Sequence, residues 1–409
     1  GGNTHANRFF SGRIVENVKS NDRVSSYPDV ILNRKFPVSK FVLVGDYKKP
    51  FSFTYLYDLI FKRKKAVLAR VKLYNVKLAQ DCWGAPYIPY SKCLECYKPV
   101  IDNGRILSCE YLKMTINDID FRIIYKEYQF DIEILDIAYA TYGDLPQQLK
   151  EKVFYYFKQK TDLKGLSDMR VYYNLYKALL NAIYGLMAQD PLKNEIIYNN
   201  GDWDINILSH EGEYYKVLKR KFLLYPWACW VTAWARYELE IALDIVGKDF
   251  VYCDTDSVKY QGDHDFSTYN NECYKRAIRN GFLYKNSVLG AFEEEETAKE
   301  FKTLGAKKYV YVDMNDNLHI TIAGVNKKKG AKELKTIDNF DLDFVFFESG
   351  GTEAVYNDIR KGFFIHRENK PIKITANVAI LNSTYTVSVS EDYKRILSNI
   401  NFKILTNQN

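Results

Sequence analysis

Apolar positions along the chain change their spacing several times, and those changes divide it. Arg70-Val71-Lys72-Leu73 interleaves basic and apolar residues at a period of two, the mark of a half-buried strand. Short runs of this kind alternate with turns from about Leu32 to Tyr142. Asp102-Asn103-Gly104 predicts a tight hairpin, because Asn-Gly accepts the positive φ angles of a type I′ turn. The period then becomes helical. Leu149, Val153, Tyr156 and Phe157 predict a helix from about Pro146 to Thr161, and a second is expected from about Ser167 to Met187. A polar stretch over 191–222, containing Asn199-Asn200-Gly201-Asp202, reads as a hairpin insertion.

A helix from about Ala228 to Val246 leads into two strand-like runs, Phe250-Val251-Tyr252-Cys253 and Ser257-Val258-Lys259-Tyr260. Both are rich in aromatic and β-branched residues. Residues 265–300 are expected to be helical and to end in the solvated run Glu293-Glu294-Glu295-Glu296. Lys307-Lys308-Tyr309-Val310-Tyr311-Val312 alternates again, and Asn326-Lys327-Lys328-Lys329-Gly330 reads as a basic loop. Beyond about 336 the pattern predicts a short helix near Glu353–Lys361 among strands.

Composition narrows the class. At 409 residues the chain is too long for one simple core and should divide into subdomains. Its 47% hydrophobic and 27% charged residues are those of a globular protein, and the formal charge of +7 suits a nucleic-acid partner without requiring one. Seven cysteines spread through a chain of this size argue against a disulfide framework and for a reducing compartment. Cys93-x-x-Cys96, with Cys82 and Cys109 nearby, matches no common zinc spacing and reads as free thiols. The most apolar window, Phe222 to Val246, carries Arg236, Glu238, Glu240 and Asp244, which excludes a membrane span there. The Gly1-Gly2 start, with no initiator Met, reads as a fragment or a trimmed chain.

Three clusters carry chemistry. Asp254-Thr255-Asp256 joins the two strand-like runs as a tight turn, and an extended backbone would project its two acids together. Two like carboxylates that close call for a proton or a cation, and Mg²⁺ meets the need while leaving room for phosphates. Asp22-Arg23-Val24-Ser25-Ser26-Tyr27-Pro28 ends another strand-like approach in an acid. Lys177, Asn181 and Tyr184 lie at i, i+4 and i+7 on one helical face, offering a cation, an amide and a ring.

The order and spacing of these clusters resemble the polymerase module of family B DNA polymerases. Asp22 to Pro28 is similar to that family's motif A, Lys177 to Gly185 to motif B, Tyr252 to Ser257 to motif C, and Lys307-Lys308-Tyr309 to its K-x-Y motif. The resemblance covers essentially the whole chain and is closest to the protein-primed branch of phages and linear plasmids. It implies an α+β right-hand fold, with an antiparallel-sheet palm, helical fingers, a small thumb and two terminal-protein-region insertions. The implied division is palm over 1–33 and 223–325, insertions over 34–145 and 191–222, fingers over 146–190 and thumb over 326–409. Gly1-Gly2 resembles the end of the linker that joins exonuclease and polymerase modules, and the exonuclease module is not in this sequence.

The resemblance also implies roles. Asp22 and Asp256 would be the principal ligands of two Mg²⁺ ions (Mn²⁺ a substitute), with Asp254 close by and the Arg23 backbone assisting. Lys177 would contact the incoming triphosphate, with Lys160 a second candidate. Tyr27 would stack under the sugar and exclude a 2′-hydroxyl, and Asn181 and Tyr184 would shape the pocket. Lys307 and Tyr309 would steady the primer, and Thr232 and Arg236 would touch template phosphates. Implied partners are a DNA primer-template, dNTPs and a terminal-protein primer, for a monomer in the cytoplasm, that of the host if the source is viral. Ala182 stands where motif B usually has Ser, and Arg23 and Ser26 stand where motif A has small apolar residues. Reverse transcriptases favour adjacent aspartates in the hairpin and lack the Asn181/Tyr184 helix. A catalytically silent, nucleic-acid-binding remnant is the alternative function.

Overall fold

The computed structural model describes residues 2–44, 51–79, 84–189, 195–199, 202–206, 223–347, 352–356, 371–375, 378–382 and 384–406. Strands β1 (Thr4–Ala6) and β2 (Ile14–Arg23) open the chain, followed by β3 (Ala66–Leu78), β4 (Arg105–Asn117) and β5 (Tyr128–Ala140). After a helical stretch come β6 (Phe250–Asp254), β7 (Ser257–Tyr260), β8 (Phe292–Glu294), β9 (Ala298–Gly305), β10 (Lys308–Asp313) and β11 (Leu318–Ile322). The helices used below are α1 (Ser26–Asn33), α2 (Asp118–Glu127), α3 (Gln147–Leu163), α4 (Arg170–Met187), α5 (Tyr225–Val246), α6 (Ser267–Asn280) and α7 (Lys327–Leu334).

One antiparallel sheet joins the N-terminal strands to those beyond residue 250, in the order β1-β6-β7-β2-β9-β10-β11, with β8 also on β2. β2 is its hub. It pairs with β7 along one edge, and with β8 and β9 along the other. A second sheet is formed by residues between 42 and 140, with β3 flanked by β4 and β5. The alternation read at Arg70–Leu73 is the reason: Val71 and Leu73 are buried and Arg70 is exposed. The strands are longer than the short runs expected, 13 residues each for β3, β4 and β5. Asn103 and Gly104 take φ angles of 53° and 79° in a two-residue turn, as the Asn-Gly pair predicts.

Helix α5 ties the layers together. Trp230, Val231 and Ala235 enter the core shared with α1, α3 and α4, while Leu239, Leu243 and Val246 pack beneath Phe250, Cys253 and Val258. A buried relay fastens the second sheet to it: Trp230 Nε1 donates to Tyr142 Oη at 2.7 Å, Tyr142 Oη donates to Asp118 Oδ2 at 2.7 Å, and Asp118 Oδ1 accepts from Val67 N at 3.1 Å.

Three expected elements differ. The helix over 265–300 stops at Asn280, and Glu293 and Glu294 lie in a strand, because β8 completes the edge of β2. The basic stretch at 326–330 is not a loop but the start of α7, with the Asn326 side chain capping it by accepting from Lys329 N at 3.1 Å. Residues Thr352–Tyr356 form a strand paired with Val378–Asn382, where a helix was expected, and 357–361 lie outside the described residues. Within 191–222, Glu195–Asn199 and Asp202–Asn206 pair as the expected hairpin, and the remainder lies outside the described residues. Among the described residues no helix is long and apolar enough to cross a membrane.

Candidate active site

The turn between β6 and β7 consists of Thr255 and Asp256 alone, with Asp254 paired to Ser257 across it. Thr255 takes a φ of 63°, unusual for a β-branched residue, and its amide donates to the Asn3 carbonyl at 2.7 Å. Gly2 passes so close that a Cβ there would lie 2.5 Å from Thr255 Oγ1. On the other side β7 runs antiparallel to β2 with Ser257 opposite Asp22, and Arg23 N donates to the Asp256 carbonyl at 2.9 Å. The backbone pairing thus brings motif-like segments from residues 22 and 256 to one sheet end.

The turn is tight, and its two acids keep different partners while each stays within electrostatic reach of the other. Asp254 accepts from Thr4 Oγ1 at 2.9 Å and is ion-paired with Lys307. Asp256 acts on Asp22: burial, then the charges of Asp256 and Glu295, push the Asp22 carboxyl up to about 7. Burial pushes Asp256 up to about 6, with Asp254 adding to the rise while the Arg23 guanidinium opposes it. Half-buried carboxylates raised by burial and by neighbouring acids are a donor set suited to a hard divalent cation.

A second group faces this one. Tyr27, in the first turn of α1, packs on Tyr184 of α4 with ring centroids 4.2 Å apart. Lys160 of α3 donates to Ser25 Oγ at 2.9 Å. Burial and then the Lys177 charge lower its pKa, with Asp22 pulling the other way. Lys177 and Asn181 are exposed on α4 and Tyr184 is half-buried, in keeping with their helical spacing.

Arg23 does not crowd the acids. Side chains alternate across a strand, so it points to the face opposite Asp22. There it is 1% exposed, donates to Tyr269 Oη at 3.0 Å and Ser26 Oγ at 2.9 Å, and is ion-paired with Asp29. Arg34 pairs with Glu238, and Arg276 with Asp29 at 3.0 Å, so three guanidiniums share two buried carboxylates.

Other expected site residues are occupied within the fold. Lys307 donates its amide to Tyr252 Oη at 3.0 Å, and Tyr309 packs on Tyr252 at 4.8 Å between centroids. Thr232 Oγ1 bonds back to its own helix, to Cys229 O at 3.0 Å. Arg236 is ion-paired with Asp120 at 2.7 Å, and its Nε donates to Tyr87 Oη at 2.9 Å. Cys93 and Cys96 are half-buried free thiols and Cys109 a buried one, with Cys93 pushed up to about 12 by burial first, while Cys82 lies outside the described residues.

Sequence reasoning missed three neighbours of Asp22. Glu293 lies opposite it across β2 and β8, and the Glu295 amide donates to Ser20 O at 2.8 Å. Lys259 Nζ donates to Ser20 Oγ at 2.8 Å, and its charge acts to lower the Asp22 carboxyl. The one signal in the sequence was the acidic run itself.

No family model matches the chain. In sequence it is 22% identical over 286 residues to the DNA polymerase of Bacillus phage Nf, a match covering 68% of this chain and 44% of that one. It is 23% identical over 219 residues to the DNA polymerase of Bacillus phage phi29, covering 52% of this chain and 34% of that one. The chain spans less than half the length of the curated relatives it matches. Among solved structures, phi29 DNA polymerase complexed with primer-template DNA superposes with a TM-score of 0.66 at 18% identity, covering 95% of this chain and 60% of that one. The same polymerase with primer-template DNA and incoming nucleotide substrates gives a TM-score of 0.63 at 18% identity, covering 95% and 61%. The α+β right-hand polymerase fold expected from the motifs is therefore the fold of this chain. By sequence and by fold, the chain is similar to the phi29-type DNA polymerases of Bacillus phages.

Proposed function

We propose that the chain is a DNA-directed DNA polymerase that adds dNTPs to a primer hydroxyl in the protein-primed replication of a linear viral or plasmid genome. The observation that carries this reading is the acid cluster: strand pairing brings Asp22, at the end of β2, beside the turn that holds Asp256, and burial together with the Asp256 charge pushes the Asp22 carboxyl up to about 7. It is supported by two lysines, Lys160 and Lys177, on the helices that face it.

The residues divide the work. Asp22, Asp256 and the Arg23 carbonyl would hold two divalent ions, Mg²⁺ or Mn²⁺, with Asp254 steadying the turn through Lys307. When bound, such ions would neutralise charge on the phosphates and favour the alkoxide form of an attacking primer hydroxyl. Lys177 and Lys160 hold the triphosphate by charge, and because phosphoryl transfer depends on positioning and charge, two cations opposite the acids suffice. The Tyr27–Tyr184 contact forms the wall under the sugar, and Asn181 borders the base. Lys307 and Tyr309 guide the primer end. Thr232 and Arg236 act on the template side, with Arg236 keeping its pair to Asp120.

In this reading residues 1–33 and 223–325 form the palm, 146–190 the fingers and 326–409 the thumb, with insertions at 34–145 and 191–222. The partners are primer-template DNA, dNTPs and a terminal protein that offers a hydroxyl, with the chain acting as a monomer. Primer extension on a short duplex with Mg²⁺ tests the reading. Extension by the wild type and none by Asp256→Asn is expected. A chain that binds the duplex but extends nothing would be a silent remnant, and the enzyme reading would be lost. Labelled dATP mixed with candidate terminal proteins tests the primer, which should become covalently labelled.

A further inference from the structure

A cavity of about 400 Å³ opens between the second sheet and α5, large enough for one nucleotide unit. Gly2, Tyr87, Lys92, Arg105, Asp120 and Arg236 are on its wall. Arg105 begins β4, immediately after the Asn103-Gly104 turn, and is only 9% exposed. Its guanidinium donates to the Tyr87 carbonyl at 2.7 Å, and among the described residues no carboxylate lies within ion-pair distance of it. Arg236, beside it, has Asp120; Arg105 has no carboxylate in ion-pair contact, and its charge reaches only the buried Glu240, whose own carboxyl burial pushes up to about 7. A buried cation without a paired counter-charge is costly unless an anion supplies it. Lys92 adds a third positive charge, and Asp120 is the one acid on the wall. Burial lowers the Arg105 pKa and the Arg236 charge adds to that, while Cys253, Tyr87 and Tyr128 act the other way.

We infer that this cavity receives a backbone phosphate of the DNA strand, with Arg105 as its central ligand and Lys92 at its mouth. The inference rests on the polymerase reading. Gly2 links the cavity to the catalytic turn, since it packs directly on Thr255, so a strand reaching the acids passes this wall. A guanidinium presents a planar fork that matches phosphate oxygens, which accounts for arginine at this position.

The test is binding of a labelled primer-template, followed by anisotropy in EDTA over a range of salt. Arg105→Gln should weaken binding several-fold and reduce the slope of log affinity against log salt by roughly 0.7 to 0.9, one phosphate contact. Arg105→Lys keeps the charge and should keep the slope, and it is this contrast between Gln and Lys that a merely structural role would not produce. Lys92 is exposed, so Lys92→Ala will fold and should shift the slope in the same direction. The KM for dNTP should stay unchanged in all three, since a free triphosphate is not the ligand. Unchanged slopes in both Arg105→Gln and Lys92→Ala would overturn the inference, as would a raised KM with intact strand binding. A wild type that binds and extends DNA beside such variants would leave the polymerase reading standing. A wild type that binds no DNA would end both.

Discussion

Lys307 is ion-paired with Asp254, whereas Asp256, two residues on, acts on Asp22. Neighbouring acids in one turn therefore have different work, and substitution should separate them. Asp256→Asn is expected to lower the single-turnover rate of nucleotide addition by roughly a thousandfold or more, because it removes one of two charges that hold the ions. Asp254→Asn keeps the acceptor for Thr4 and should lose less, through slackening of the Lys307 contact. Equal losses in the two variants would show that the acids act as one unit.

Tyr27 rests on Tyr184 at 4.2 Å between ring centroids, and that support makes it a rigid wall. Tyr27→Val would remove the ring and leave space where a 2′-hydroxyl would sit. Discrimination between dNTP and rNTP should fall by roughly tenfold to a hundredfold, read as the ratio of kcat/KM values. Tyr184→Ala should produce part of the same loss by letting Tyr27 move. Unaltered discrimination in Tyr27→Val would remove it from this role.

Local signals were legible in the sequence. The Asn103-Gly104 turn, the helices around 147–163 and 170–187, and the hairpin at Thr255-Asp256 all depend on neighbouring residues. Long-range pairing was not. Glu293 faces Asp22 only because β8 completes an edge of β2 some 270 residues away in sequence, so its acidic run looked like solvated helix. Arg23 looked like an intrusive cation because its partners, Asp29, Glu238 and Tyr269, come from three other elements. Arg236 was assigned by resemblance alone, and no pattern disclosed its pairing with Asp120 in the second sheet's helix α2.

The buried arginine network makes Gly290 irreplaceable. Its φ is 81°, and a Cβ there would lie 2.5 Å from Asp29 Oδ2 and 2.8 Å from the Arg23 guanidinium. Gly290→Ala should destabilise the fold by about 2–4 kcal/mol, since both the backbone and a buried ion pair must shift. Urea unfolding would measure it. A loss under about 0.5 kcal/mol would mean that the network yields easily.

Asp118 supplies a pH dependence away from the acid cluster. Burial pushes its carboxyl up to about 6, although Tyr142 and the Val67 amide, which donate to it, pull the other way. The folded-state pKa lies above the unfolded one, so folding favours the protonated form. Its contribution to stability is complete below about pH 4 and is lost as pH rises through about 6. Two pKa units correspond to about 3 kcal/mol. Asp118→Asn keeps an acceptor for Val67 N while removing the charge. Its stability, followed by urea unfolding between pH 4 and 7, should lack the decline that Asp118 adds to the wild type, and the variant should gain most on the wild type near pH 7. Parallel curves for the two proteins across that range would show that Asp118 is ionised throughout, with the Trp230–Tyr142 relay stabilising its charge.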